Sequence, residues 1–170
     1  MISAFLFGTR LALGTMLLVA GAAKLGSTVD FAATVDRYRV LPAALVPLVA
    51  TLVPLLEVGC GALLLLGVAP RVAAPLAAGL LVAFAVAMAV NLVRGERFDC
   101  GCGGTDREIS WWLVARNVVL SAAAVAVAAL PSAVPAVTGI AVVITLVAMA
   151  LTAQVVSGAA HLARVLGKPA

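Results

Sequence analysis

The stretch VAAPLAAGLLVAFAVAMAVNLV, residues 72–93, runs for 22 residues without a charged side chain. At ~1.5 Å per residue, a helix of this length crosses the ~30 Å hydrocarbon core of a bilayer. Its Ala, Leu and Val follow one another without the period-2 alternation of a barrel strand. Arginines bracket it, Arg71 before and Arg94 after. A helix apolar on every side is surrounded by lipid or by other helices.

The rest of the chain has the same character. It is 65% hydrophobic and 11% charged, with a mean hydropathy of +1.24, against about 25% charged in a typical soluble domain. In lipid, backbone polar groups must be satisfied within helices or a closed barrel, and these unbroken runs select helices. Five stretches are long enough: about 3–23, 43–66, 72–93, 111–130 and 136–157. The expected fold is all-α, a polytopic transmembrane bundle of five spans (a four-helix core plus one) in one integral membrane domain, with residues 94–110 as a cysteine-bearing loop. The N-terminal run from Met1 to Ala23 has no basic region before it and reads as a retained span rather than a cleaved signal. The net charge of +4 comes from basic residues that form no run, and aromatics make up 5%. That excludes a nucleic-acid surface and leaves membrane lipids as the surroundings.

Charge also orients the bundle. Lys24, Arg37 and Arg39 lie in the first loop, Arg94, Arg97 and Arg107 in the cysteine loop, and Arg164 and Lys168 in the tail. Five spans place all of these on one side, with Arg71 opposite. The positive-inside rule then expects a cell-membrane protein with its N-terminus outside and its cysteine loop in the cytoplasm.

Three ionisable residues, Arg10, Glu57 and Arg116, fall inside spans, where charge is costly and rarely faces lipid. Arg10 lies 13 residues before the end of the first span and Glu57 lies 14 after the start of the second. Each is thus ~20 Å from the same loop. An Arg10–Glu57 ion pair setting helix register is the expectation. Pro47 and Pro54 interrupt backbone bonding near Glu57. Cys60, one turn beyond, reads as a packing residue. Gly14, Gly21, Gly59 and Gly61 permit close helix packing, within one protomer or between protomers, so the oligomeric state stays open. Trp111 and Trp112 read as an interfacial belt.

The polar segment RGERFDCGCGGTDRE, residues 94–108, carries the chemistry. Cys100 and Cys102, two of three cysteines, sit one residue apart among charges and glycines. A Cys-Gly-Cys pair can close a small strained disulfide, reducible and suited to exchange rather than to stapling. Arg116 and Asn117 follow one to two turns into the fourth span. A cation there favours the reactive thiolate, or it pairs with Asp99, Asp106 or Glu108. The competing chemistry is metal: two thiolates suit Cu(I), whereas structural zinc takes four ligands, and His161 alone completes no such set. No cofactor motif is present, and the sequence leaves both a quinone and Cu(I) open.

These residues together resemble the methylamine-utilisation MauE family, within the wider DoxX-like group of redox-associated membrane proteins. The resemblance is carried by Ala22-Ala23-Lys24-Leu25, by Phe31 and Tyr38-Arg39-Val40-Leu41-Pro42, and by Pro54-Leu55-Leu56-Glu57-Val58-Gly59. Its most specific part is Cys100-Gly101-Cys102-Gly103-Gly104 with Trp112 and Arg116-Asn117, over roughly residues 10–125. Where the family commonly has Phe after the second Cys, this chain has Gly103. The resemblance implies a protein that helps form or deliver disulfides in exported proteins beside a thioredoxin-like partner. The leading expectation is a thiol–disulfide oxidoreductase component with Cys100 and Cys102 as its redox pair; the alternatives are a Cu(I) chaperone or importer, and a non-catalytic membrane scaffold.

Overall fold

The computed structural model describes residues 2–101 and 108–130. Cys102, the rest of its loop to Arg107, the expected fifth span at 136–157 and the tail with His161 lie outside the described residues. Among the described residues five helices form: α1 (Ile2–Gly26), α2 (Thr28–Arg37), α3 (Val46–Leu66), α4 (Pro70–Val93) and α5 (Trp111–Ala129), with a short 3-10 turn at Ala43–Leu45 before α3. Four of them, all but α2, are long and apolar enough to cross a membrane. The chain is an all-α membrane bundle, as its composition requires.

Local chemistry sets the helix ends. Ser110 caps α5, its hydroxyl accepting from the Leu113 N–H at 3.4 Å. Gly67 ends α3 in the left-handed region at φ +69°, and the Gly67 and Val68 N–H groups donate to the Leu64 and Leu63 carbonyls. Pro47 sits in the first turn of α3, where a missing N–H costs nothing; only Pro54 is internal to that helix. The expectation of two prolines disrupting this span is therefore corrected to one.

α1 and α3 run antiparallel in intimate contact because three glycines face the seam. A Cβ at Gly61 would lie 2.7 Å from the Leu18 nitrogen and 2.8 Å from the Gly14 carbonyl oxygen. A Cβ at Gly21 would lie 2.8 Å from the Pro54 carbonyl oxygen, and one at Gly14 would lie 2.8 Å from Leu65 Cγ. Gly59 has nothing within 4 Å of that position. The small residues of this pair thus serve packing within the protomer. α4 pairs with α5, while the seam between α1 and α5 is sparse. Cys60 lies in the shared core with Leu13, Leu17 and Leu64.

The segment between the first two spans is not a plain loop. Its Phe31, Thr34 and Tyr38 recur at helical spacing, so α2 turns these residues toward the bundle while Val29 stays 81% exposed. Its end is tied down: Asn91 Nδ2 donates to the Tyr38 carbonyl at 3.0 Å, and Arg94 Nη1 donates to the Arg39 carbonyl at 3.3 Å. α2 therefore lies across the end of the bundle from which the cysteine segment emerges.

Filling the glycine seam tests this packing. Gly61→Val should lower the thermal stability of the detergent-solubilised protein by about 1–3 kcal/mol or more, since helix backbone stands where the side chain must go. Gly59→Val should leave melting almost unchanged.

Candidate functional site

Arg10 and Glu57 do not meet as their depth in the first two spans suggests. Glu57 is held by Lys24, whose Nζ donates to both carboxylate oxygens at 2.7 and 2.8 Å. Both side chains are almost fully buried, at 4% and 2% exposed. The Lys24 ammonium also lies over the rings of Phe31 and Phe84, 5.5 and 5.2 Å from their centroids. Two charge-assisted hydrogen bonds and two aromatic faces replace the water that this cation has lost.

The expected Arg10–Glu57 pair is corrected accordingly. Arg10 is buried beside Gly67 at the far end of α3, its guanidinium 5.1 Å from the centre of the Phe7 ring. Gly67 is ten residues from Glu57, ~15 Å along the helix. The equal-depth argument failed because the apolar runs do not start level: the first two turns of α3 extend past α1, so Gly21 faces Pro54 rather than the residues near 45. Arg10 instead stands at a helix C-terminus, where the backbone dipole favours a cation. Its Nε and Nη2 have no hydrogen-bond partner among the described residues.

The cysteine segment is anchored rather than loose. Asp99 and Glu108 form an antiparallel bridge, and the Ile109 N–H donates to the Phe98 carbonyl at 2.9 Å. The Asp99 carboxylate accepts the Gly101 N–H at 2.7 Å, which turns the chain sharply after Cys100. Gly101 has φ +66°, and a Cβ there would lie 2.7 Å from Thr34 Cγ2, so both backbone and space demand glycine. The Tyr38 hydroxyl donates to the Cys100 carbonyl at 3.1 Å, and the Tyr38 ring meets Phe98 edge-on at 4.8 Å. Cys100 is 7% exposed, packed in a cluster with Met88, Phe98, Ile109 and Leu113.

These parts share one cavity of about 400 Å³ among α1, α3, α4, α5 and the cysteine segment. Its polar wall holds Lys24, Glu57, Cys100, Arg116 and Asn117, and its apolar wall includes Met16, Leu81 and Phe84. The Arg116 Nε is buried with no hydrogen-bond partner among the described residues. Cys60 is not in this lining. Of the residues singled out from sequence, Cys100, Glu57 and Arg116 thus converge, while Arg10 stands apart. Lys24 was missed as a site residue because it closes the apolar run and reads as a loop charge. Trp111 and Trp112 are exposed, at 58% and 72%, in the first turn of α5.

Breaking the buried pair on one side strands a charge. Glu57→Leu or Lys24→Met alone should destabilise the protein by about 3–5 kcal/mol, and the double variant by less than the sum. A double-mutant cycle on thermal melting in detergent reads this coupling; the same cycle for Arg10 and Glu57 should give none.

The family model described as methylamine utilisation protein MauE matches residues 2–131. The methylamine utilization protein MauE of Paracoccus denitrificans is 39% identical over 135 residues, covering 77% of this chain and 73% of its own. That of Methylorubrum extorquens is 38% identical over 152 residues, covering 86% and 82%. No solved structure matches. With the family model spanning all four membrane helices and the cysteine segment, the chain belongs to the MauE family.

Proposed function

We propose that this chain is a membrane thiol–disulfide exchange protein in which Cys100 and Cys102 cycle between disulfide and dithiol. The observation that supports this most is the position of Cys100. It is buried under α2, in the wall of a cavity that also holds an ion pair and Arg116. The packing cysteine, Cys60, has leucines around it instead. Arg116 favours a thiolate on Cys100 through its charge across the shared cavity. The names of the relatives tie them to methylamine utilisation, and we extend that setting to this chain, with a thioredoxin-like protein as its partner.

The burial of Cys100 makes it the inner sulfur of the exchange we propose. A partner thiolate attacks the Cys102 sulfur of the oxidised pair, the S–S bond breaks, and Cys100 leaves as the thiolate. The partner's second thiol then attacks its own sulfur in the mixed disulfide and releases Cys102. The partner emerges oxidised and the pair reduced, with two electrons moved and no atoms exchanged beyond protons. In this scheme Cys100, buried in the cavity wall, is the leaving sulfur, and Cys102 is the one the partner attacks. In cells, Cys100→Ser should accumulate a mixed disulfide through Cys102 on non-reducing gels, and Cys102→Ser should not. Absence of any mixed disulfide with either variant would remove this reading.

Oxidation of exported proteins takes place outside the cytoplasm, which sets the exchange against the charge-derived orientation. Lys24, counted among the loop charges, is neutralised inside the bundle by Glu57. Without Lys24 the count still favours the same side over Arg71, so it is the export reading alone that puts the cysteine end on the exported side. A chain with Cys60→Ala and Cys100→Ser, leaving Cys102 as its single thiol, should react with a membrane-impermeant maleimide in intact cells. Protection until the cells are opened would restore the cytoplasmic orientation and end the export reading.

A further inference from the structure

We propose that the cavity between α1 and α5 binds a membrane quinone, and that this quinone takes the two electrons of the reduced Cys100–Cys102 pair. The proposal rests on the thiol-exchange reading, because a pair that oxidises its partner has to be reoxidised. The buried face of Cys100 is where that must happen, since Cys100 and Gly101 line the cavity. An oxidant arriving there crosses apolar surroundings, so it is soluble in the bilayer. The sparse α1–α5 seam is the route, with Val19 of α1, 63% exposed, at the lining's outer margin.

The lining suits the chemistry of a quinone head group. A quinone is a flat apolar ring whose two carbonyl oxygens only accept hydrogen bonds. Met16, Leu17, Leu81, Phe84 and Leu113 supply apolar surface. The polar groups are mainly donors: the Arg116 Nε–H, which has no hydrogen-bond partner among the described residues, the buried Asn117 amide and the third N–H of Lys24 beyond its two bonds to Glu57. A volume of about 400 Å³ lies within the usual span of small-molecule sites. A buried guanidinium N–H with no partner among the described residues is a donor that an acceptor ligand in the cavity can satisfy.

The step balances. The S–H bonds of Cys100 and Cys102 break and one S–S bond forms. Two electrons and two protons pass to the two carbonyl oxygens, giving disulfide and hydroquinone.

The test uses the purified full-length chain, reduced and reconstituted in phosphatidylcholine nanodiscs, with ubiquinone bearing a single isoprene unit as the probe. Its absorbance should fall by one quinone per protein as two thiols disappear. The Cys100→Ser/Cys102→Ser variant should bind the quinone without reducing it. Arg116→Leu and Asn117→Leu should each weaken binding about tenfold or more, as loss of a buried hydrogen bond implies. Quinone left unreduced by the wild-type dithiol, or reduced equally by the double cysteine variant, overturns the proposal. If a mixed disulfide forms in cells and quinone is not reduced, this inference alone falls. If quinone is reduced one-to-one with no mixed disulfide in cells, the site stands and the partner reading falls.

Discussion

The Lys24–Glu57 pair is the constraint around which this bundle is arranged. Two charges removed from water and lipid cost several kcal/mol each unless geometry repays them. Here Lys24 reaches both carboxylate oxygens and rests between the Phe31 and Phe84 rings. Helical side chains lean toward their own N-terminus. In an antiparallel pair, Lys24 therefore leans into the membrane and Glu57 leans out to meet it. Satisfying the pair ties four elements together: α1 and α3 directly, α2 through Phe31 and α4 through Phe84.

Close approach of α1 and α3 makes that meeting feasible. Gly21 faces the backbone and Cβ of the α3 turn carrying Glu57, so a larger residue there would push the carboxylate away from Lys24. Gly14 and Gly61 continue the seam toward the other end. Such contact replaces a hydrophobic driving force that lipid does not provide between helices. The same rigid pair forms one wall of the cavity, opposite the α4–α5 pair.

α2 fixes the place of Cys100. Thr34 lies against Gly101, Tyr38 holds the Cys100 carbonyl, and Asn91 holds Tyr38. Pinned under α2, Cys100 is turned inward toward Arg116 and the ion pair. One short amphipathic helix thus couples an apparently exposed motif to the interior of the membrane domain.

Membrane insertion, the helical class and the candidate thiols were legible from the chain alone, because bilayer length and backbone hydrogen bonding leave few solutions to a run such as residues 72–93. The alternating course of the spans also put the first loop and the cysteine segment at one end. Partner choice for Glu57 was not legible. It depends on where one helix slides against another, and that offset is set by glycine contacts such as Gly21 on Pro54, invisible in hydropathy. Burial of Cys100 and the folding of residues 28–37 into α2 were likewise decided only by packing. A segment with both charges and apolar residues becomes a helix when a bundle end exists to cover its Phe31, Thr34 and Tyr38 face. The residue types that can carry the chemistry are thus written in the sequence; which of them share a cavity is fixed by helix register in three dimensions.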